Sequence, residues 1–188
     1  MSTISLLTDE ELAGLSVSDT TYFGELIRRY GTILMRYTMR RSHASKEDAE
    51  DIVQNSFIKM YRNINDFDTS LSFSSWAYRI CHNEMIDWYR KKKSRPQLYI
   101  SHTDENIFDS IASDINIEKD ILDREIKKEI ETIVQTLDPK YQEIISLRFF
   151  EDKNYEEIAD ILEIPAGTVA IRLSRAKKLL KEKLEHFS

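Results

Sequence analysis

NYEEIADILEIPAGTVAIRLSRAKKLLKEKL, residues 154–184, reads as two helices joined by a tight turn. Asn154 and Glu157 make a capping box at the start of the first helix, and Ile158, Ala159 and Leu162 give it an apolar side. Ile164-Pro165 interrupts it, because proline lacks an amide donor and restricts the residue before it. A second helix is predicted from about Ala166, with Val169, Leu173, Ala176 and Leu180 on one side. Arg172, Arg175, Lys177, Lys178, Lys181 and Lys183 surround the rest. A small residue where two helices cross, a turn and a basic second helix form the pattern of a helix-turn-helix entering a major groove. A helical hairpin with a solvated lysine face accounts for the same residues without DNA.

Working outward, 41% apolar residues in 188 suffice for real cores, in one domain or two small ones. Only four glycines and three prolines argue for helices throughout, since turn-rich β proteins need more of both. The fold class predicted is all-α. No apolar run approaches the roughly 18 residues of a membrane span, so no direct membrane insertion is expected. The opening MSTISLLTDEEL is acidic and lacks the basic start of a secretory signal. Cys81, alone, makes no internal disulfide and points to a reducing cytoplasm. Without paired-cysteine zinc spacing or a glycine-rich phosphate loop, neither a metal nor another cofactor is expected. His43, His82, His102 and His186 are scattered, and no nucleophile, base and orienting group stand together, so no catalytic residues are assigned and an enzyme is not expected.

The net charge of −6 divides unevenly. Residues 1–97 carry 14 basic and 13 acidic side chains, residues 98–136 carry 4 and 10, and residues 137–188 carry 9 and 10. Basic charge clusters at Arg79–Arg95 and Arg172–Lys183, which suggests two nucleic-acid contacts separated by an acidic linker. A chain that is acidic overall binds duplex DNA weakly, so something else has to carry it there. The periodicity predicts a short helix capped by Thr8 and Glu11, and a longer one carrying Tyr22, Phe23, Leu26, Ile27, Tyr30, Ile33, Leu34 and Tyr37. A helix capped by Ser45 runs to about Ile64, a polar loop spans Asp66–Ser72, and a helix covers Phe73–Lys93. Residues 97–116 are aperiodic and polar. Beyond them a helix from Ile117 places Ile121, Ile126, Ile130, Ile133 and Leu137 inward, and Asp138-Pro139 opens another over Lys140–Phe150. Two small helical domains, 1–96 and 117–188, are therefore expected around a flexible linker, 97–116.

Two of these helices carry surfaces of interest. On the Ser45 helix, Ala49, Ile52, Val53, Phe57 and Met60 form the buried stripe, while Asp48, Asp51, Gln54, Asn55, Ile58 and Arg62 lie away from it. Acids in a first turn need only the helix dipole to explain them. Ile58 among polar neighbours suits a docking face for a partner protein. On the Phe73 helix, Phe73, Ala77, Ile80, Met85 and Trp88 can point inward. Arg79, Asn83, Asp87 and Arg90 form the opposite face, flanked by Trp76, Tyr78, His82 and Tyr89 and followed by Lys91. Aromatic rings interleaved with arginine and asparagine suit single-stranded DNA, where stacking is worth about 1–3 kcal/mol per base. Aromatics packed in a core and a solvated cationic helix end read the same residues without DNA. A duplex reader and a single-strand reader in one chain imply a protein that finds a site and helps open it.

In order and spacing, DAEDIVQNSFIKMYRNI (48–64), FSSWAYRICHNEMIDWYRKKKSR (73–95) and LDPKYQEIISLRFFEDKNYEEIADILEIPAGTVAIRLSRAKKLL (137–180) resemble the extracytoplasmic-function sigma factors of bacterial RNA polymerase. The resemblance implies a factor that directs core polymerase to promoters, recognising the −10 and −35 elements and opening the strands. It implies that Asp48, Asp51, Gln54, Asn55 and Ile58 meet core polymerase, on the clamp helices of its largest subunit, with a further contact to its flap. Trp76, Arg79, Asn83, Asp87, Arg90 and Lys91 would meet the −10 strand, and the loop 66–72 would capture a flipped base. Thr168, Ala170, Ile171, Arg172, Arg175 and Lys178 would meet −35 DNA. It further implies a cytoplasmic protein held inactive by an anti-sigma partner.

The chain departs from that pattern at Ala170 and Ile171, where polar or basic residues are common; they could meet a thymine methyl or lie flat against the backbone. Glu163 occupies a turn position where glycine or asparagine is common, which costs backbone strain or shifts the turn. The alternative is a stand-alone helix-turn-helix regulator, which leaves the Asp48–Arg95 surface without a role.

Overall fold

Thr8 and Glu11 do form a capping box, which starts α1 at Asp9–Ser16. The computed structural model describes residues 3–42, 44–94 and 132–187. After a 3-10 turn at Thr3–Leu6 and α1 come α2 (Thr20–Ser42), α3 (Lys46–Arg62), a 3-10 turn at Ile64–Asp66, and α4 (Phe73–Ser94). Residues 132–135 are helical, and α5 (Pro139–Ile145), α6 (Tyr155–Leu162) and α7 (Ala166–Phe187) follow. The described residues contain helices and no strand. The proposed linker 97–116 and the inward positions Ile121, Ile126 and Ile130 lie outside them.

In the N-terminal unit, α1 ties down two neighbours. Arg29 and the Tyr30 hydroxyl both donate to Asp9, at 2.7 and 2.5 Å. The Phe73 N–H, an orphan donor at the start of α4, is satisfied by the Glu10 carboxylate at 3.0 Å. Ser45 caps α3 through the Asp48 N–H. The five residues expected to form the buried stripe of α3, Ala49, Ile52, Val53, Phe57 and Met60, are all buried. The helix stops at Arg62 rather than Ile64, where the 3-10 turn takes over.

Several expectations are corrected. The segment 66–72 is not wholly polar in character: Phe67 is buried, its ring 5.0 Å from Trp76 and 5.6 Å from Phe73, and it pins the loop to α4. Tyr78 is 3% exposed, so it belongs to the core and is not available to stack a base. Ile27 is 43% exposed, on the outer side of α2. The helix expected over 140–150 is α-helical only to Ile145. Ser146–Phe150 then widens into a π turn, with the Glu151 N–H reaching the Ser146 carbonyl.

In the C-terminal unit, Asp138 caps α5 with Pro139 in its first turn, and Asn154 with Glu157 forms the second capping box. Ile158 is buried as expected; Ile161, which sequence reading passed over, is also fully buried, and Leu162 is only half so. Val169, Leu173 and Ala176 are buried along α7. Glu163 takes the left-handed conformation at φ 52°, ψ 44°, so the tight turn is kept and the strain is carried by glutamate.

The two units pack together. Ile144, Leu147, Ile158 and Ile161 belong to the same buried cluster as Tyr37, Phe73, Ala77 and Cys81. The helix α6 touches α4 on one side and α7 on the other.

Candidate nucleic-acid and partner interfaces

An open apolar groove of about 1120 Å³ runs between α2 and α3. Its apolar lining includes Phe23, Ile27, Met35 and Tyr61. Ile27, Ile58 and Tyr61 are each more than 40% exposed, which on one continuous surface marks a place for a partner. Of the five residues assigned to docking, Asp51, Gln54 and Ile58 line this groove. Asp48 does not: its carboxylate turns to Lys92 on α4, at 3.8 Å. Asn55 is exposed but lies outside the groove lining. Ile27 and Tyr61 were missed as surface residues because their helical spacing gives no sign of which apolar positions a neighbouring helix covers.

The second surface is the outer side of α4. Ser72 Oγ accepts the Ser75 N–H at 3.3 Å and starts the helix. Trp76 is half-buried against Phe67 and Phe73. Asn83 is exposed, Arg90 has 77% of its side chain exposed, and Lys91 is exposed. Asp87 lies 3.7 Å from both Lys59 and Arg90, so it trims the positive charge locally. Arg79 is engaged: its guanidinium donates to Asp160 of α6 at 2.8 Å.

The third surface is α7 with its helix-turn-helix partner α6. Ile171, Arg175 and Lys178 recur at helical spacing and are all exposed; Ile171 is 56% so. Thr168, Ala170 and Arg172 flank them, half-buried. Lys177 caps the Phe149 ring at 5.6 Å, which explains a half-exposed phenylalanine beside this basic helix. The Asp138 carboxyl is held below its usual range, first by the Lys140 backbone N–H. Among the described residues no cluster of three or more His, Cys, Asp or Glu is arranged to hold a metal, and no helix is long and apolar enough to cross a membrane.

An apolar groove on one helical unit, a cationic helix with aromatic neighbours, and a basic helix-turn-helix together define a DNA-binding protein that also docks a partner. Comparison with known proteins narrows this. Residues 26–95 match Sigma-70 region 2, and residues 127–180 match Sigma-70 region 4. The ECF RNA polymerase sigma factor SigW of Bacillus subtilis is 29% identical over 187 residues, covering 96% of this chain and 98% of its own. The RNA polymerase sigma-H factor of Pseudomonas aeruginosa is 30% identical over 171 residues, covering 89% and 88%. In solved structures, the sigma factor RpoE of Bartonella quintana, in complex with the anti-sigma factor NepR, aligns at a TM-score of 0.66 and 21% identity over 87% of this chain and 96% of its own. The chain belongs to the sigma-70 family of RNA polymerase sigma factors, in its extracytoplasmic-function branch.

Proposed function

We propose that the α2–α3 groove docks core RNA polymerase, through the clamp helices of its largest subunit, and that α4 and α7 meet the −10 and −35 promoter elements. The observation that carries the reading is the groove itself, where Asp51 and Gln54 rim an exposed apolar strip of Ile27, Ile58 and Tyr61. In this reading residues 1–96 bind polymerase and open the −10 region, 97–116 tether, and 117–188 read the −35 element and meet the polymerase flap. Asn83, Arg90 and Lys91 give α4 exposed polar and cationic groups for an unpaired strand. Extruding a base costs a few kcal/mol, which a pocket beside the 66–72 loop has to return. The chain supplies binding and strand opening, with no catalytic group of its own, and works in the cytoplasm. The similarity to a sigma factor seen with an anti-sigma protein supports a regulator of that kind here.

Co-purification with core polymerase and run-off transcription from sheared genomic DNA tests the reading. A stoichiometric complex giving discrete new transcripts is expected. Replacing Asp51 and Gln54 together should abolish polymerase association with circular dichroism unchanged. Arg175→Ala should weaken −35 binding, lower the salt slope by about one unit, and leave polymerase affinity intact. Specific duplex binding by the isolated chain, with no association to core, would refute it in favour of a stand-alone regulator.

A further inference from the structure

We propose that α1 belongs to the −10 reader, and that Glu10 is a positioning residue holding the 66–72 loop ready to take a base. The inference rests on the assignment of that loop to base capture. The helix itself lies ahead of every residue assigned to polymerase or DNA. Leu12 and Ala13 are fully buried, which alone would make it an ordinary core helix. Its two leading acids go further. Both converge on Phe73, where the loop ends and α4 begins.

Glu10 reaches the backbone of Phe73. Its Oε1 accepts from the Phe73 N–H at 3.0 Å, across 63 positions of sequence. Within the loop, Ser72 Oγ serves the Ser75 N–H at 3.3 Å, which leaves the first amide of α4 to α1. Asp9 reaches the Phe73 ring by way of Tyr30. Its carboxylate accepts from the Tyr30 hydroxyl at 2.5 Å, and the Tyr30 ring stands edge-on to Phe73 with centroids 5.3 Å apart. Phe73 in turn packs on the buried Phe67, 5.6 Å away in the loop. Beyond Phe67 the loop turns on itself: the Asp68 carboxylate accepts from the Ser70 N–H at 2.9 Å, and the Asp68 carbonyl from the Leu71 N–H at 3.0 Å. Gly14, one helical turn past Glu10, faces that turn. A Cβ there would stand 3.5 Å from the Thr69 methyl.

This arrangement fixes the loop at its base and leaves its tip free. Phe67 and Phe73 are buried, while Thr69, Ser70, Leu71 and Ser72 are exposed, Leu71 by 59%. A loop that has to order itself around an extruded base loses affinity to that ordering, and one anchored beforehand does not. Without the Glu10 carboxylate, the donor at the loop's end is left without its acceptor, which favours fraying of the first turn of α4. Trp76, assigned to the −10 strand, sits in that turn against Phe67 and Phe73.

Holoenzyme assembled from core polymerase and the full-length chain tests this, by fluorescence anisotropy on the single −10 strand identified from transcript starts. Glu10→Ala should weaken binding to that strand about three- to ten-fold, the scale of one lost hydrogen bond. Affinity for core polymerase and for a −35 duplex should stay unchanged. Glu10→Gln keeps an acceptor oxygen without the charge, so it should restore wild-type affinity. Gly14→Ala, whose Cβ meets Thr69 at ordinary contact distance, should bind as wild type. Gly14→Val is stiff in a helix yet suits one better than glycine, so it should crowd Thr69 and weaken strand binding without lowering Tm. Wild-type strand affinity in Glu10→Ala or in Gly14→Val would overturn the proposal and leave the loop assignment standing. Equal losses at the −10 strand and the −35 duplex, or failure of glutamine to rescue, would overturn it too, since Glu10 would then serve only the fold or the helix dipole. A wild-type holoenzyme that binds the −10 strand no better than a scrambled one would instead refute the loop assignment, and the proposal with it.

Discussion

Ile58→Ala separates docking from folding. The substitution removes three carbon groups, worth about 0.8 kcal/mol each when fully buried, or roughly 2.4 kcal/mol together. Ile58 remains 42% exposed in the groove. In proportion, roughly 1 kcal/mol is left to be gained when a partner covers it, and roughly 1.4 kcal/mol already supports the fold. Alanine's better helix propensity returns a few tenths of that. Affinity for core polymerase should therefore fall about five-fold, and Tm by about 2–4 °C. Fluorescence anisotropy of the labelled chain titrated with core polymerase reads the first, and calorimetry the second. Ile52→Ala is the control: its side chain is 2% exposed in the core and outside the groove lining, so it should cost about 2–5 kcal/mol of stability and leave the affinity of folded protein unchanged. Unchanged affinity for folded Ile58→Ala would show that the groove is not the docking face.

Other expectations follow from local geometry. Glu163 pays for a left-handed backbone conformation that glycine adopts freely, so Glu163→Gly should raise stability by about 0.5–1 kcal/mol in urea unfolding; destabilisation would mean the side chain holds the turn. The Cys81 thiol is pushed up to about 11, chiefly by burial, and is fully covered beside the Thr38 hydroxyl at 3.3 Å. Iodoacetamide near neutral pH should leave it unmodified in the folded chain and modify it in denaturant; rapid native labelling would show that α4 opens locally.

The helix boundaries were largely legible because their signals are local. Thr8 with Glu11 and Asn154 with Glu157 are capping boxes at a spacing of three, and Asp138-Pro139 specifies a helix start by itself. The buried stripe of α3 was readable for the same reason: period and polarity alternate within a few turns. Which apolar residues stay uncovered was not legible. Ile27 and Ile161 both fit a helical period, yet one faces solvent in the groove and the other the core, because neighbours distant in sequence decide coverage.

The sequence by itself determined an all-helical chain, a helix-turn-helix followed by basic charge, and the family that places polymerase and promoter DNA as its partners. Each rests on patterns a few residues long. Only tertiary structure decided that Tyr78 belongs to the core, that Asp48 turns to Lys92 rather than the groove, and that Arg79 is occupied by Asp160. It alone decided the Glu151 contacts, where Arg40 and Tyr78 arrive from 111 and 73 residues away. No local pattern encodes such a meeting, since a buried carboxylate finds its donors only when two separately built units close around it.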